Sequence, residues 1–335
     1  MATTEVLLDE GTVLAHLRSR GVLGDDEAAV AQVLGGGVSN TVILVEAGPR
    51  RVVVKQALPR LRVAREWLAD PSRTVTEGRA LRVAATLQED AVPAVVDLDE
   101  ERNVLVVAAA PAGTGDWKQR LLHGDVSEDD VRVGESVGAL LGRLHARTAT
   151  DASLRADFDA WAAFEQLRVA PYFRSMVADT PELGDIVLPH VEAMARRRVC
   201  LVHGDVSPKN VLAGEGLPWL IDFEVACWGD PAFDVAFLLT HLAMKAVHRP
   251  AQAPALARVA RAFLAAYRAE AGALLDEAHA AALLGCLLMA RVDGRSPAEY
   301  LDGASRQVVR GLGLRVATAP PRTLDAAVQE AMQSR

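Results

Sequence analysis

Apolar positions change period about a third of the way along the chain. Residues 29–34, 41–45, 51–57 and 103–107 are short blocks rich in valine, leucine and isoleucine, bounded by glycine, proline and charged residues. Such blocks read as strands joined by tight turns. Between the third and fourth blocks, Asp70-Pro71 opens a helix, with proline suited to the first turn. Glu77, Leu81 and Ala84 share one face of that helix. From Ser127 onward helical spacing dominates. Ser127 with Asp130 forms a capping box ahead of Val131, Val137, Leu141 and Leu144. Residues 199–202, 211–213 and 219–221 then interrupt as short strands, and helices are expected over 232–239, 256–267 and 278–290. The expectation is an α+β chain. Residues 1–110 form a small antiparallel sheet with one key helix, and residues 111–335 form a mainly helical part.

Composition narrows the class without naming it. The chain has 335 residues, half of them apolar, enough for two cores and too apolar for disorder. Its formal charge of −8 offers no basic face for nucleic acid. The three cysteines, Cys200, Cys227 and Cys286, show no C-x-x-C spacing, so neither a disulfide frame nor a zinc site is expected. The amino terminus lacks the basic start of a secretory signal, and the apolar run 278–290 is too short to span a bilayer. A cytoplasmic protein without membrane partner, monomeric or homodimeric, is expected.

The chemistry sits in one stretch. His203-Gly204-Asp205 lies on a loop leaving the strand 199–202, and Pro208 argues against a helix there. Asn210 follows five residues after Asp205, and Asp222-Phe223-Glu224 ends the strand that returns. In extended backbone, positions i and i+2 share a face. Asp222 and Glu224 can then meet one cation while Phe223 enters the core. Asn210 adds a neutral carbonyl oxygen suited to magnesium, which leaves Asp205 as the candidate base. His123-Gly124-Asp125 repeats the triplet, but no D-x-E follows it, and the capping box marks it as a helix-to-helix connection.

The H-G-D-x-x-x-x-N loop followed by an acidic motif resembles the aminoglycoside phosphotransferase and choline kinase group, distant relatives of protein kinases. The D-x-E at 222–224 looks like the methylthioribose kinase branch. The resemblance runs from about residue 30 to about 240. It implies a bilobal protein-kinase-like fold and transfer of phosphate from ATP, with Mg2+, to a hydroxyl of a small molecule, most simply a sugar or amino sugar. Asp205 would then be catalytic, and Asn210, Asp222 and Glu224 the metal ligands. Gly35, Gly36, Gly37, Ser39 and Asn40 would cover the phosphates, and Lys55, paired with Glu77, would steady them. Glu66 is the competing acid. Ala108 to Ala110 would form the hinge against adenine, and Asp234 would support the catalytic loop. Trp228, Arg291 and Asp293 are candidates for the acceptor pocket. An antibiotic phosphotransferase, a protein kinase and a non-catalytic nucleotide-binding regulator are the rival expectations.

Overall fold

The computed structural model describes residues 7–35, 39–62, 68–159 and 161–334. Gly36, Gly37 and Glu66, each singled out above, lie outside the described residues. The chain divides into two compact units, residues 1–112 with 222–225, and residues 113–221 with 226–335. The sequence placed the division near residue 110 and left 222–225 with the second part; in the structure that short motif groups with the first.

The first unit is a five-stranded antiparallel sheet in the order β1-β2-β3-β5-β4. Its strands are β1 (Val30–Val33), β2 (Asn40–Ala47), β3 (Arg50–Ala57), β4 (Val95–Asp99) and β5 (Val104–Ala108). Period-two alternation sorts the side chains onto two faces. Ile43, Val45, Val52, Val54, Val104 and Val106 gather on one face with Val13 and Leu17 of helix α1 (Val13–Ser19). Lys55, next to Val54, therefore points to the other face. Helix α2 (Arg73–Leu87) packs there, brought close by Gly78, where an added Cβ would lie 2.9 Å from Leu98. The alternation of β3 thus sends one lysine toward one helix.

The second unit begins with β6 (Gly115–Asp116), α3 (Trp117–His123) and α4 (Glu128–Ala149). The capping box forms as its sequence requires, with Ser127 and Asp130 reciprocally bonded. Short helices α5 (Arg155–Phe158), α6 (Ala162–Phe164) and α7 (Ser175–Asp179) flank a π-helical segment, Glu165–Arg174, and α8 (Gly184–Arg196) follows. Strands β7 (Cys200–Val202), β8 (Val211–Ala213), β9 (Trp219–Leu220) and β10 (Cys227–Gly229) form two small sheets, β10-β7 and β6-β8-β9. Helices α9 (Pro231–His248), α10 (Ala253–Ala271), α11 (Glu277–Asp293), α12 (Gly303–Thr318) and α13 (Leu324–Gln333) complete the unit. Helix α9 is buried nearly all round, from Pro231 to Val247, as a central core helix must be.

One local expectation is corrected. Residues 222–224 do not continue the strand: β9 stops at Leu220, and Asp222 takes the left-handed conformation with φ 72°. Alternation along an extended strand therefore cannot describe how Asp222 and Glu224 are aimed. Left-handed backbone is uncommon outside glycine, although aspartate tolerates it better than most residues. Phe223 is nonetheless fully buried.

Candidate active site

In the first unit a chain of charges surrounds Lys55. Its Nζ donates to Glu77 Oε1 at 2.6 Å and to Asp222 Oδ1 at 2.9 Å. Glu77 is buried on the inward face of α2, where its spacing with Leu81 and Ala84 directs it. Burial disfavours the Lys55 ammonium, but Asp222, Glu77 and Glu224 outweigh that and hold it charged, above the ordinary lysine range. Burial likewise pushes the Glu77 carboxyl up, to about 7, against the pull of Lys55.

Arg73 is the residue that sequence reasoning missed here. It is almost wholly buried, and its guanidinium donates to Glu224 Oε2 at 3.1 Å and to the carbonyls of Ser39 and Leu58 at 2.6 and 2.8 Å. Asn40 Nδ2 reaches the same Glu224 oxygen at 2.9 Å, and also Ser39 Oγ at 3.1 Å. Ser39 and Asn40, expected to cover phosphates, thus anchor the end of the glycine-rich turn to Glu224. Arg73 lies one helical turn before Glu77, the spacing that puts both on one face. That spacing was the available signal.

Three carboxylates, Glu77, Asp222 and Glu224, meet two cations, Lys55 and Arg73, in ion pairs. Both of these Glu224 contacts fall on Oε2. Among the described residues no three His, Cys, Asp or Glu side chains form a ready metal cage. Magnesium suits such a site, because it commonly takes only one or two carboxylates and completes its shell from phosphate and water.

The hinge expectation is narrowed. The Ala108 N–H donates to Ala94 at 2.9 Å and the Ala109 N–H to Arg51 at 3.1 Å, and the Ala110 carbonyl accepts from Arg51 at 3.3 Å. These groups are engaged within the first unit.

In the second unit the loop 203–210 is held from below. Asp234, near the start of α9, accepts from the His203 and Gly204 N–H groups at 2.6 and 2.8 Å. Its Oδ2 also meets His145 Nε2 at 3.2 Å, and His145 Nδ1 meets the Tyr267 hydroxyl at 2.9 Å. All of this network is buried, where satisfied hydrogen bonds make a loop rigid. Gly204 adopts φ 78°, the left-handed turn that aims Asp205.

Asn210 Nδ2 donates to both the carbonyl and Oδ2 of Asp205, at 2.9 and 2.8 Å. With its NH2 group so used, the amide keeps its carbonyl oxygen for a cation. Asp205 is nearly buried, and Arg168 and Lys209 each lie 3.0 Å from its Oδ2. Arg168 also donates to the Gly204 carbonyl at 2.7 Å. Neither basic residue was singled out from sequence. Lys209 lies within the recognised loop; Arg168 sits far upstream, in the π-helical segment, with no local pattern to mark it.

The acceptor-pocket candidates separate. Trp228 is 4% exposed in β10 opposite Leu201, a core position. Asp293 forms an exposed ion pair with Arg310. Arg291 is half-buried against Tyr172, 3.4 Å from its hydroxyl, and donates to Ser296. Only Arg291 of the three joins the network leading back to Arg168.

Comparison with known proteins gives the family and the fold. The phosphotransferase enzyme family model matches residues 30–275. Methylthioribose kinases from Bacillus cereus strains B4264 and AH820 are 22% and 24% identical, each over 72% of this chain and 67% of the relative. Choline kinase from Streptococcus pneumoniae superposes with a TM-score of 0.54 at 14% identity, covering 92% of this chain and 99% of that one. An amicoumacin kinase in complex with AMP-PNP and Ca2+ gives 0.55 at 16% identity, over 96% and 97% of the two chains. These likenesses identify the fold as protein-kinase-like.

Proposed function

This chain belongs to the phosphotransferase enzyme family and is a small-molecule kinase, and on that premise we propose that it moves the γ-phosphate of ATP, with Mg2+, to a hydroxyl of a small sugar-like molecule. Asp205 orients the attacking hydroxyl and accepts its proton. Lys209, Arg168 and Asn210 fix the carboxylate through its Oδ2. Lys55, kept charged by Glu77, binds the phosphates of the nucleotide. Asn210, Asp222 and Glu224 are the oxygen ligands for magnesium, which neutralises charge on the phosphates when bound. The glycine-rich turn beginning at Gly35 covers the phosphates, and the backbone near Ala110 meets the base.

The observation that carries this reading is the support of Asp205. A nearly buried carboxylate is fixed by Asn210, Arg168 and Lys209, on a loop whose backbone N–H groups end on Asp234. Such support holds a carboxylate in one orientation, as a positioned base requires. The reading is tested by following ATP consumption with sugars, methylthioribose, choline and an aminoglycoside as acceptors. Magnesium-dependent phosphorylation of a sugar supports it. Phosphorylation of the aminoglycoside alone would replace the sugar with an antibiotic, and no transfer to any acceptor would reject it.

A further inference from the structure

Helix α9 carries Phe237, His241 and Lys245 at four-residue intervals, so all three lie on one face. Phe237 stacks on Tyr172 with ring centroids 6.0 Å apart, and Arg168 lies 5.8 Å from both rings. Arg291 covers Tyr172 at 5.6 Å, and His241 meets Phe237 edge-on at 5.1 Å. One turn beyond, the Lys245 Nζ lies 5.4 Å from the Tyr300 ring. A continuous line of contacts therefore runs from Asp205, through Arg168, to the aromatic floor and along α9 toward Lys245.

Lys245 is 0% exposed, yet among the described residues its Nζ has no hydrogen-bond partner, and neither the Tyr300 hydroxyl nor Arg291 Nε has one. Buried polar atoms are almost always bonded, because leaving one unpaired costs the desolvation of that group. Lys118 and Arg291 disfavour the Lys245 ammonium, and Asp116 favours it. His241 feels the same two cations together with Lys245 and Lys209. Burial, aided by Lys118 and Arg291, lowers the Lys245 ammonium to about 7.

We propose that Lys245, Arg291 and Tyr300 form a subsite for an anionic group, a carboxylate or a phosphate, carried by the phosphate acceptor. The hydroxyl to be phosphorylated meets Asp205, and the anion is received further along α9. Lys245 and Arg291 neutralise it, and the Tyr300 hydroxyl donates the remaining hydrogen bond. The subsite favours sugar acids or sugar phosphates and rejects cationic acceptors, whose charge would face three or more like charges. This deepens the phosphotransferase reading and rests on it for the role of Asp205.

Matched pairs test the subsite with the full chain: glycerate against glycerol, and ribose 5-phosphate against ribose. Calorimetric binding needs no transfer, and ATP consumption reports transfer separately. The anionic member of at least one pair should bind more tightly by at least about tenfold. The pair showing the preference tells carboxylate from phosphate. In Lys245→Met the preference should collapse, and the variant should melt higher than wild type in the absence of ligand, because an unpaired buried charge has been removed. Equal binding within both pairs, no binding of either anion, a preference that survives Lys245→Met, or a lowered melting temperature would each overturn the subsite. Lysine-dependent anion binding without ATP consumption by any acceptor would leave the subsite standing and reject the kinase reading. Turnover without anion preference would do the reverse.

Discussion

Asp205 receives Asn210, Arg168 and Lys209 on one carboxylate oxygen. An amide in its place keeps the shape and loses the capacity to take a proton. Asp205→Asn should lower turnover by roughly 10²–10⁴-fold, the range for a positioned general base. Nucleotide affinity by calorimetry should stay near wild type, and a parallel loss of both would place Asp205 in nucleotide binding instead. At Lys245 the prediction concerns pH. In the unfolded chain lysine titrates near about 10.4, whereas burial lowers it to about 7 in the fold. Between those values the unfolded chain binds the extra proton, so stability rises with pH across this window. Below it both states are protonated, and the full cost of the buried charge remains. Lys245→Met should flatten that slope, as measured by denaturant titration from pH 7 to 10; an unchanged slope would show that Lys245 does not titrate there. Asp205, Asn210, Lys55 and Glu77 were legible because strand alternation, helical spacing and a fixed loop length constrain them. Arg73 and Arg168 were not, because an isolated arginine looks like a surface residue until its partners, distant in sequence, are known.

At the level of elements, α4 packs on α10 through a stripe of small residues. An added Cβ at Gly138 would lie 2.3 Å from the Phe263 carbonyl oxygen, and one at Gly142 2.7 Å from that of Tyr267. Backbone cannot yield as a side chain can. Gly138→Ala should destabilise by about 1–3 kcal/mol or more, as overpacking does, despite the gain in helix propensity. Thermal unfolding measures it, and a stabilised variant would mean that the helices separate freely. Asp234 joins α9 to the catalytic loop. Asp234→Ala leaves the His203 and Gly204 N–H groups without their buried acceptor, at about 1–3 kcal/mol for each group. Activity should fall further than stability alone explains, a split read by assaying well below the melting temperature. Helical stretches announced α9, α10 and α11 through their apolar spacing, and the capping box announced α4. The π-helical segment at Glu165–Arg174 gave no such signal, since Pro171 and its neighbours follow neither period. The turn at Asp222 escaped notice because aspartate only tolerates the left-handed conformation and does not require it, so the residue reads equally well as the end of a strand.

Across the whole chain, charge is divided unevenly between its two units. In the first, the carboxylates Glu77, Asp222 and Glu224 meet Lys55 and Arg73 in ion pairs, which sets a lysine and carboxylate oxygens together as a magnesium nucleotide requires. In the second, basic side chains gather around Asp205 and along α9. Nucleotide with magnesium should therefore stabilise the chain, by about 2.7 kcal/mol at a hundredfold excess over its dissociation constant. Lys55→Met should abolish most of that shift. The most direct test of the account follows labelled γ-phosphate from ATP into an acceptor hydroxyl, with wild type and Asp205→Asn side by side. Label should appear on a small hydroxylated molecule with wild type, only when a divalent cation is present, and should nearly vanish with the variant. Label that reaches no acceptor, or reaches one equally fast without the Asp205 carboxylate, would contradict it.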